Sequence, residues 1–207
     1  MKRVLLVFLL ITMGFVSSQT FKYGITANLH KTSIVNIHDY SRTPWGGGLG
    51  GFAEFALVEN DVFDSAWLYL MPQIEFSMQG ENAAPPQGKQ QFPMHYIGLP
   101  IYLKYFFHRG NMRSDIFLFA GPRFEFMVYN DRKGPEVYDM FVDQEKTLNE
   151  FSYGVSMGAG YRLSDKAEVF LRFDRGLSKI YPDYTHHSTT YNRLLGIGFN
   201  YYLNSSY

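Results

Sequence analysis

Along most of the chain apolar and polar residues alternate one for one. Phe21, Tyr23, Ile25, Ala27 and Leu29 interleave with Lys22, Gly24, Thr26, Asn28 and His30. Residues two apart share one face of a β-strand but not one face of a helix, so this rhythm predicts strands. Seven further runs repeat it. Ala53, Phe55 and Leu57 oppose Gly50, Phe52 and Glu54; Leu68, Leu70, Ile74 and Phe76 oppose Tyr69, Met71, Gln73 and Glu75. The clearest run sets Ile97, Leu99, Ile101, Leu103, Tyr105 and Phe107 against Gly98, Pro100, Tyr102 and Lys104. In the fifth, Ile116, Leu118, Ala120, Phe124, Phe126 and Val128 oppose Phe117, Phe119, Gly121, Arg123 and Glu125. The sixth opposes Tyr153, Val155, Met157, Ala159 and Tyr161 to Gly154, Ser156, Gly158, Gly160 and Arg162. Val169, Leu171 and Phe173 against Glu168, Phe170, Arg172 and Asp174 form the seventh, and Leu195, Ile197, Phe199, Tyr201 and Leu203 against Gly196, Gly198, Asn200 and Tyr202 the eighth. Runs of about ten residues suit a tilted strand that crosses a membrane.

The intervals between runs alternate as well. Residues 30–48, 80–93, 130–150 and 176–190 are long and polar, whereas 58–65, 108–114 and 164–165 are short. Long loops on one rim and tight turns on the other are the habit of outer-membrane barrels. No helical period or linker divides the chain, so one domain is expected.

Alternation alone does not say which face is inside, since a soluble ligand-carrying barrel alternates with reversed polarity. Three features favour apolar residues outward. The polar phase is rich in glycine and aromatic residues, Gly98, Gly154, Gly158, Gly196, Tyr102 and Phe119 among them, as a crowded interior requires. Aromatic residues gather at both run ends: Phe21, Tyr23, Trp67, Tyr105, Tyr161 and Tyr201 at the short-turn rim, Trp45, Phe92, Tyr96, Tyr129, Phe151, Tyr153 and Tyr191 at the long-loop rim. These would be interfacial belts. The apolar phase also carries no charge at mid-run, where a lipid-facing Arg or Lys costs roughly 2–4 kcal/mol. The expected fold is therefore all-β, an eight-stranded antiparallel up-and-down transmembrane β-barrel with a filled polar lumen. Into that lumen would point Glu54, Glu75, Lys104, Arg123, Glu125, Glu168, Arg172 and Asp174, as a structural charge network. An interior of this size is about wide enough for side chains to fill, so no open pore is expected.

Composition adds an address. Residues 1–18 carry Lys2 and Arg3, an apolar stretch from Val4 to Val16 and small residues ahead of Gln19, the form of a cleaved secretory signal. The barrel domain would then span 19–207. Thirteen apolar residues fall short of the roughly 20 that a spanning helix needs. Lys plus Arg and Asp plus Glu are equal at 19 each, so no nucleic-acid partner is suggested. Cysteine is absent, which excludes disulfides and a lipid-anchored cysteine.

In order and spacing, GLPIYLKYFF at Gly98–Phe107, FAGPRFEF at Phe119–Phe126, GAGYRL at Gly158–Leu163, LRFDRGLSKI at Leu171–Ile180 and the closing GIGFNYYL resemble the small outer-membrane β-barrels grouped as PorT-like, or as the outer membrane protein β-barrel domain family. The resemblance implies residence in a Gram-negative outer membrane, contact with its lipid, insertion by the barrel-assembly machinery and no cofactor. It brings no catalytic residues, and ties some members to secretion and gliding machinery. One departure is that Asn204, Ser205 and Ser206 follow Leu203, where such barrels finish on an aromatic strand end.

Other chemistry is weaker. GGGLGG at Gly46–Gly51 lacks the Lys and the helix of a phosphate cradle. His186 and His187 near Asp183, and His38 beside Asp39, lack metal-ligand spacing, so no metal site is expected. Glu75, Glu125 and Asp174 with Arg123 and Arg172 read as structural pairing before acid–base catalysis. The favoured function is a non-enzymatic outer-membrane protein, structural or interacting through four long extracellular loops, with 82–93 and 131–146 as contact surfaces for other envelope proteins. An outer-membrane enzyme acting on lipid or peptide at the loop rim, a small porin-like channel and a soluble lipocalin-like barrel are the alternatives.

Overall fold

The structure, a computed structural model, describes residues 21–35, 41–58, 66–83, 90–109, 112–131, 148–182 and 190–204. The signal segment, His38, Asp39, Asp183, His186, His187 and most of the loop 131–146 lie outside the described residues.

Nine strands follow in order: β1 (Phe21–Val35), β2 (Ser41–Arg42), β3 (Trp45–Val58), β4 (Leu68–Ala83), β5 (Gln90–Arg109), β6 (Met112–Asn130), β7 (Phe151–Ser164), β8 (Ala167–Gly176) and β9 (Tyr191–Tyr202). The eight long strands pair antiparallel with their chain neighbours, and β1 with β9 closes the cylinder. β2 is a two-residue addition to the long-loop end of β4, Ser41 opposite Ala83. Closure leaves no long edge strand among the described residues, so the backbone groups of the wall are satisfied without water.

The two phases separate as the alternation predicts. On β5, Gly98, Pro100, Tyr102 and Lys104 are buried while Ile97, Leu99, Leu103 and Phe107 are exposed. On β1, Thr26, Asn28 and His30 are buried, and Leu29 is 62% exposed. The outer wall is a continuous apolar band on all eight strands, far beyond the few hundred Å² that soluble monomers show. Hydrocarbon is the solvent that fits it.

Inward glycines and aromatic rings pair across strands. Gly158 on β7 faces Phe119 on β6, and Gly198 on β9 faces Phe170 on β8. A Cβ on Gly158 would lie 2.3 Å from the Phe119 ring and 2.2 Å from the Leu171 carbonyl oxygen, so only glycine admits the ring there. The missing side chain on one strand makes room for a large one on the next.

Two expectations are corrected. The strands reach further towards the long-loop rim than the alternation indicates: β1 continues to Val35, and β4 pairs with β5 out to Ala83 opposite Gln90. The interval 80–93 is thus mostly hairpin, with 84–89 as its link. Tyr96 faces inward at 1% exposure, because even-numbered positions on β5 point to the lumen, so it is not part of the interfacial belt. The lumen is filled, and, as the aromatic residues of the inward phase imply, partly by rings. Phe52, Tyr69, Tyr102, Phe106, Phe117 and Phe170 crowd its short-turn half, and Ile34, Met94, Tyr96, Ile180 and Tyr181 its long-loop end.

Candidate functional site: the charged lumen

Two ionic clusters brace the interior. The first centres on Lys104, which β5 aims into the short-turn half. Its Nζ donates to Glu54 Oε2 at 2.8 Å on β3, to both oxygens of Glu168 at 2.7 Å on β8, and to the Tyr202 hydroxyl at 2.8 Å on β9. The Tyr202 hydroxyl in turn donates to Glu54 Oε2 at 2.7 Å. Arg162 brings a second cation to Glu168 at 3.3 Å, and Asn200 donates to the same carboxylate at 3.2 Å. Phe117 lies under the ammonium, its ring centroid 4.5 Å from Nζ, and Phe106 under the Arg162 guanidinium at 4.4 Å. Aromatic faces favour desolvated cations, so the rings that fill this half also stabilise its charges.

The second cluster sits nearer the long loops. Arg172 grips Glu75 with two bonds, Nη1 to Oε2 at 2.8 Å and Nη2 to Oε1 at 3.0 Å. Arg123 bridges Asp174 at 2.7 Å and Glu125 at 2.6 Å, and reaches Glu75 at 3.5 Å. Arg172 Nε is 3.2 Å from Asp174 Oδ2, an ion-pair contact without hydrogen-bond alignment. Amides complete the carboxylates: Asn28 and Gln73 donate to Glu75 at 3.0 and 2.9 Å, and Gln79 donates to Glu125 at 2.6 Å. The His30 ring lies 2.6 Å from Asn28 Oδ1 and 2.9 Å from the Met78 carbonyl oxygen. Forked guanidinium–carboxylate contacts are the strong, directional kind.

Ile180 and Tyr181, from the segment after β8, are buried against Ile34, Met94 and Tyr96. Asn149 Nδ2 donates to the Lys179 carbonyl at 2.6 Å, Asn149 N to the Ile180 carbonyl at 3.0 Å, and Ile180 N to the Thr190 carbonyl at 2.9 Å. The void beside Gln79, Arg123, Glu125 and Asp174 measures about 10 Å³, enough for about one water molecule.

All eight charged residues named from the alternation face the lumen, none more than 8% exposed, and each carboxylate among them contacts a cation. Three come from β8 and two from β6; β3, β4 and β5 give one each. The charged phase did not single out Arg162, nor the neutral partners Asn28, Gln73, Gln79, Asn200 and Tyr202. Their one signal is position, since all lie on the inward phase of their strands. Among the described residues no three His, Cys, Asp or Glu side chains gather as metal ligands.

A closed wall with apolar residues outward and paired charges within is the build of an outer-membrane barrel. Residues 15–181 match the family described as Outer membrane protein beta-barrel domain. The chain belongs to that family. It is an integral outer-membrane β-barrel. Among solved structures, Neisserial surface protein A (NspA) is similar at 15% identity and a TM-score of 0.50, over 89% of this chain and 99% of NspA. OprG from Pseudomonas aeruginosa gives 9% identity and 0.42 over 89% and 94% of the two chains, and Ail of Yersinia pestis 7% and 0.42 over 88% and 99%. At such identity the likeness to NspA is one of fold. No curated protein matches the sequence.

Proposed function

We propose that this outer-membrane barrel is a non-enzymatic, non-conducting scaffold that presents its long loops to the outside, and that it is a PorT-like member working as a subunit of an envelope secretion or gliding-type assembly. The observation that carries the reading is the cross-braced lumen, where Lys104, Arg123 and Arg172 tie β3, β4, β5, β6 and β8 together at under 4% exposure. A lumen spanned by ion pairs resists deformation and leaves no continuous water path, which suits a rigid platform. Residues 1–18 would direct export and be removed, and the barrel-assembly machinery would insert the chain. Its partners would be lipid along the wall and other envelope proteins at the loops.

Two measurements on the purified barrel test this. In planar bilayers it is expected to carry no steady unitary current. From detergent-solubilised envelopes the intact barrel is expected to retain a protein that is lost when residues 132–147 are replaced by a Gly/Ser segment. Steady conductance, or turnover of a lipid or peptide substrate, would contradict the scaffold reading.

A further inference from the structure

The outer wall carries basic side chains in one sector at the long-loop end. Arg175 on β8 and Arg193 on β9 are direct cross-strand partners. Both are exposed and lie in the outward phase, two residues beyond Phe173 and Leu195. Lys31 on β1 is the partner of Leu195, which places it diagonally beside Arg193 on the same outward face. Like charges directly opposite each other destabilise a sheet. Among the described residues Arg175, Arg193 and Lys31 enter no ion pair.

Their depth is informative. One two-residue step along a strand is about 7 Å, so Arg193 lies that far along the tilted strand from Leu195, the last aliphatic residue on the outward phase of β9. The cations thus stand where the aliphatic face of the wall ends. Aromatic rings sit beside the cations, as at membrane interfaces: Lys31 Nζ lies 4.9 Å from the centroid of Trp45, which is 72% exposed, and the Arg175 guanidinium lies 5.1 Å from that of Tyr191. Flat rings leave the polar tips free to project outward and would pack on acyl chains or sugar.

We propose that Arg175, Arg193 and Lys31, flanked by Trp45 and Tyr191, form a binding site for the phosphorylated headgroup of a membrane lipid at the long-loop rim. Two guanidiniums side by side offer forked donors to phosphate oxygens, and the ammonium adds a third positive charge. The anion removes the repulsion between the arginines. The lipid tail lies along Phe173, Leu195 and Leu29, which a free phosphate ion does not use. The assignment rests on the outer-membrane reading of the barrel, but not on the scaffold role.

The test uses the full barrel in zwitterionic detergent, titrated with bisphosphorylated lipid A, with the same lipid lacking phosphate, and with inorganic phosphate. Binding is read by native mass spectrometry. The wild type is expected to bind the phosphorylated lipid in preference to the other two. Each positive charge at a membrane surface accounts for about fivefold in affinity, so Lys31→Gln/Arg175→Gln/Arg193→Gln is expected to weaken binding roughly a hundredfold. Arg193→Gln alone, should the triple variant not insert, is expected to weaken it about fivefold. Lys166→Gln, at the opposite rim, is expected to bind as wild type does. Equal binding by wild type and the Arg193 variant, equal loss in the Lys166 variant, or displacement by millimolar inorganic phosphate would overturn the proposal. A conducting or enzymatic barrel that still binds the lipid this way would sink the scaffold role and leave this site standing.

Discussion

Lys104 shows what a buried charge needs. Its ammonium and the carboxylates of Glu54 and Glu168 have no measurable exposure, so each has lost its hydration entirely. The short contacts around Nζ compensate only while all partners are present. Lys104→Met would leave Glu54 without a cation and Glu168 with Arg162 alone. Breaking a buried pair in this way is expected to destabilise the barrel by about 3–5 kcal/mol. Lys104→Met/Glu54→Gln removes one charge of each sign and leaves the Arg162–Glu168 pair, so most of that loss should return. Urea unfolding in lipid vesicles, followed by tryptophan fluorescence, measures both variants. A single-variant loss below about 1 kcal/mol would mean that the cluster is solvated. The charged members were legible from the sequence because a charge on the inward phase of a membrane strand must find a partner. Asn28 and Asn200 were legible as inward positions but not by partner, because a neutral amide's partner depends on the inter-strand register; Gln79 lay beyond the end of the third run.

At the level of the strand, the legible quantity is phase. Every run keeps its predicted face, since a slip by one residue would turn Leu99 inward and Lys104 into lipid. Strand ends were less legible. Beyond the membrane band both faces of a hairpin can be polar, so the continuation of β4 and β5 to Ala83 and Gln90 left little periodic trace. Tyr96 misled for a related reason: an aromatic residue near a rim suits a belt as well as a lumen, and only its even position on β5 separates the two. Pairing between neighbours also explains the inward glycines. Gly158→Ala would press a methyl group against the Phe119 ring and the Leu171 carbonyl, and overpacking of that kind is expected to cost about 1–3 kcal/mol. Gly51→Ala is the matched control, because its Cβ would meet nothing closer than the Gly24 carbonyl oxygen at 3.6 Å. The same unfolding assay should place that variant within about 0.5 kcal/mol of wild type. Equal effects at the two positions would contradict the ring-over-glycine fit.

Across the whole molecule, the closed wall satisfies the backbone without water, so lipid can surround it, and the lumen then becomes the one place where charge in the spanning region can be held. That reversal fits a charged fraction of 18% in a chain with 18% aromatic residues: at mid-strand ionised side chains turn inward, while the outer wall belongs to Leu, Ile, Phe and Tyr. The loops were legible as intervals but not as surfaces, since alternation carries no information once it stops.

The direction of each face can be measured directly, because the absence of cysteine lets single spin labels be placed without background. Labels at 97, 99, 101 and 103 and at 98, 100, 102 and 104 of the barrel in lipid vesicles can be compared for collision with molecular oxygen and with a water-soluble nickel chelate. The account predicts high oxygen and low chelate collision at the odd positions, and low collision with both at the even ones. Strong chelate collision at 99 and 101 would put the apolar face in water and contradict it.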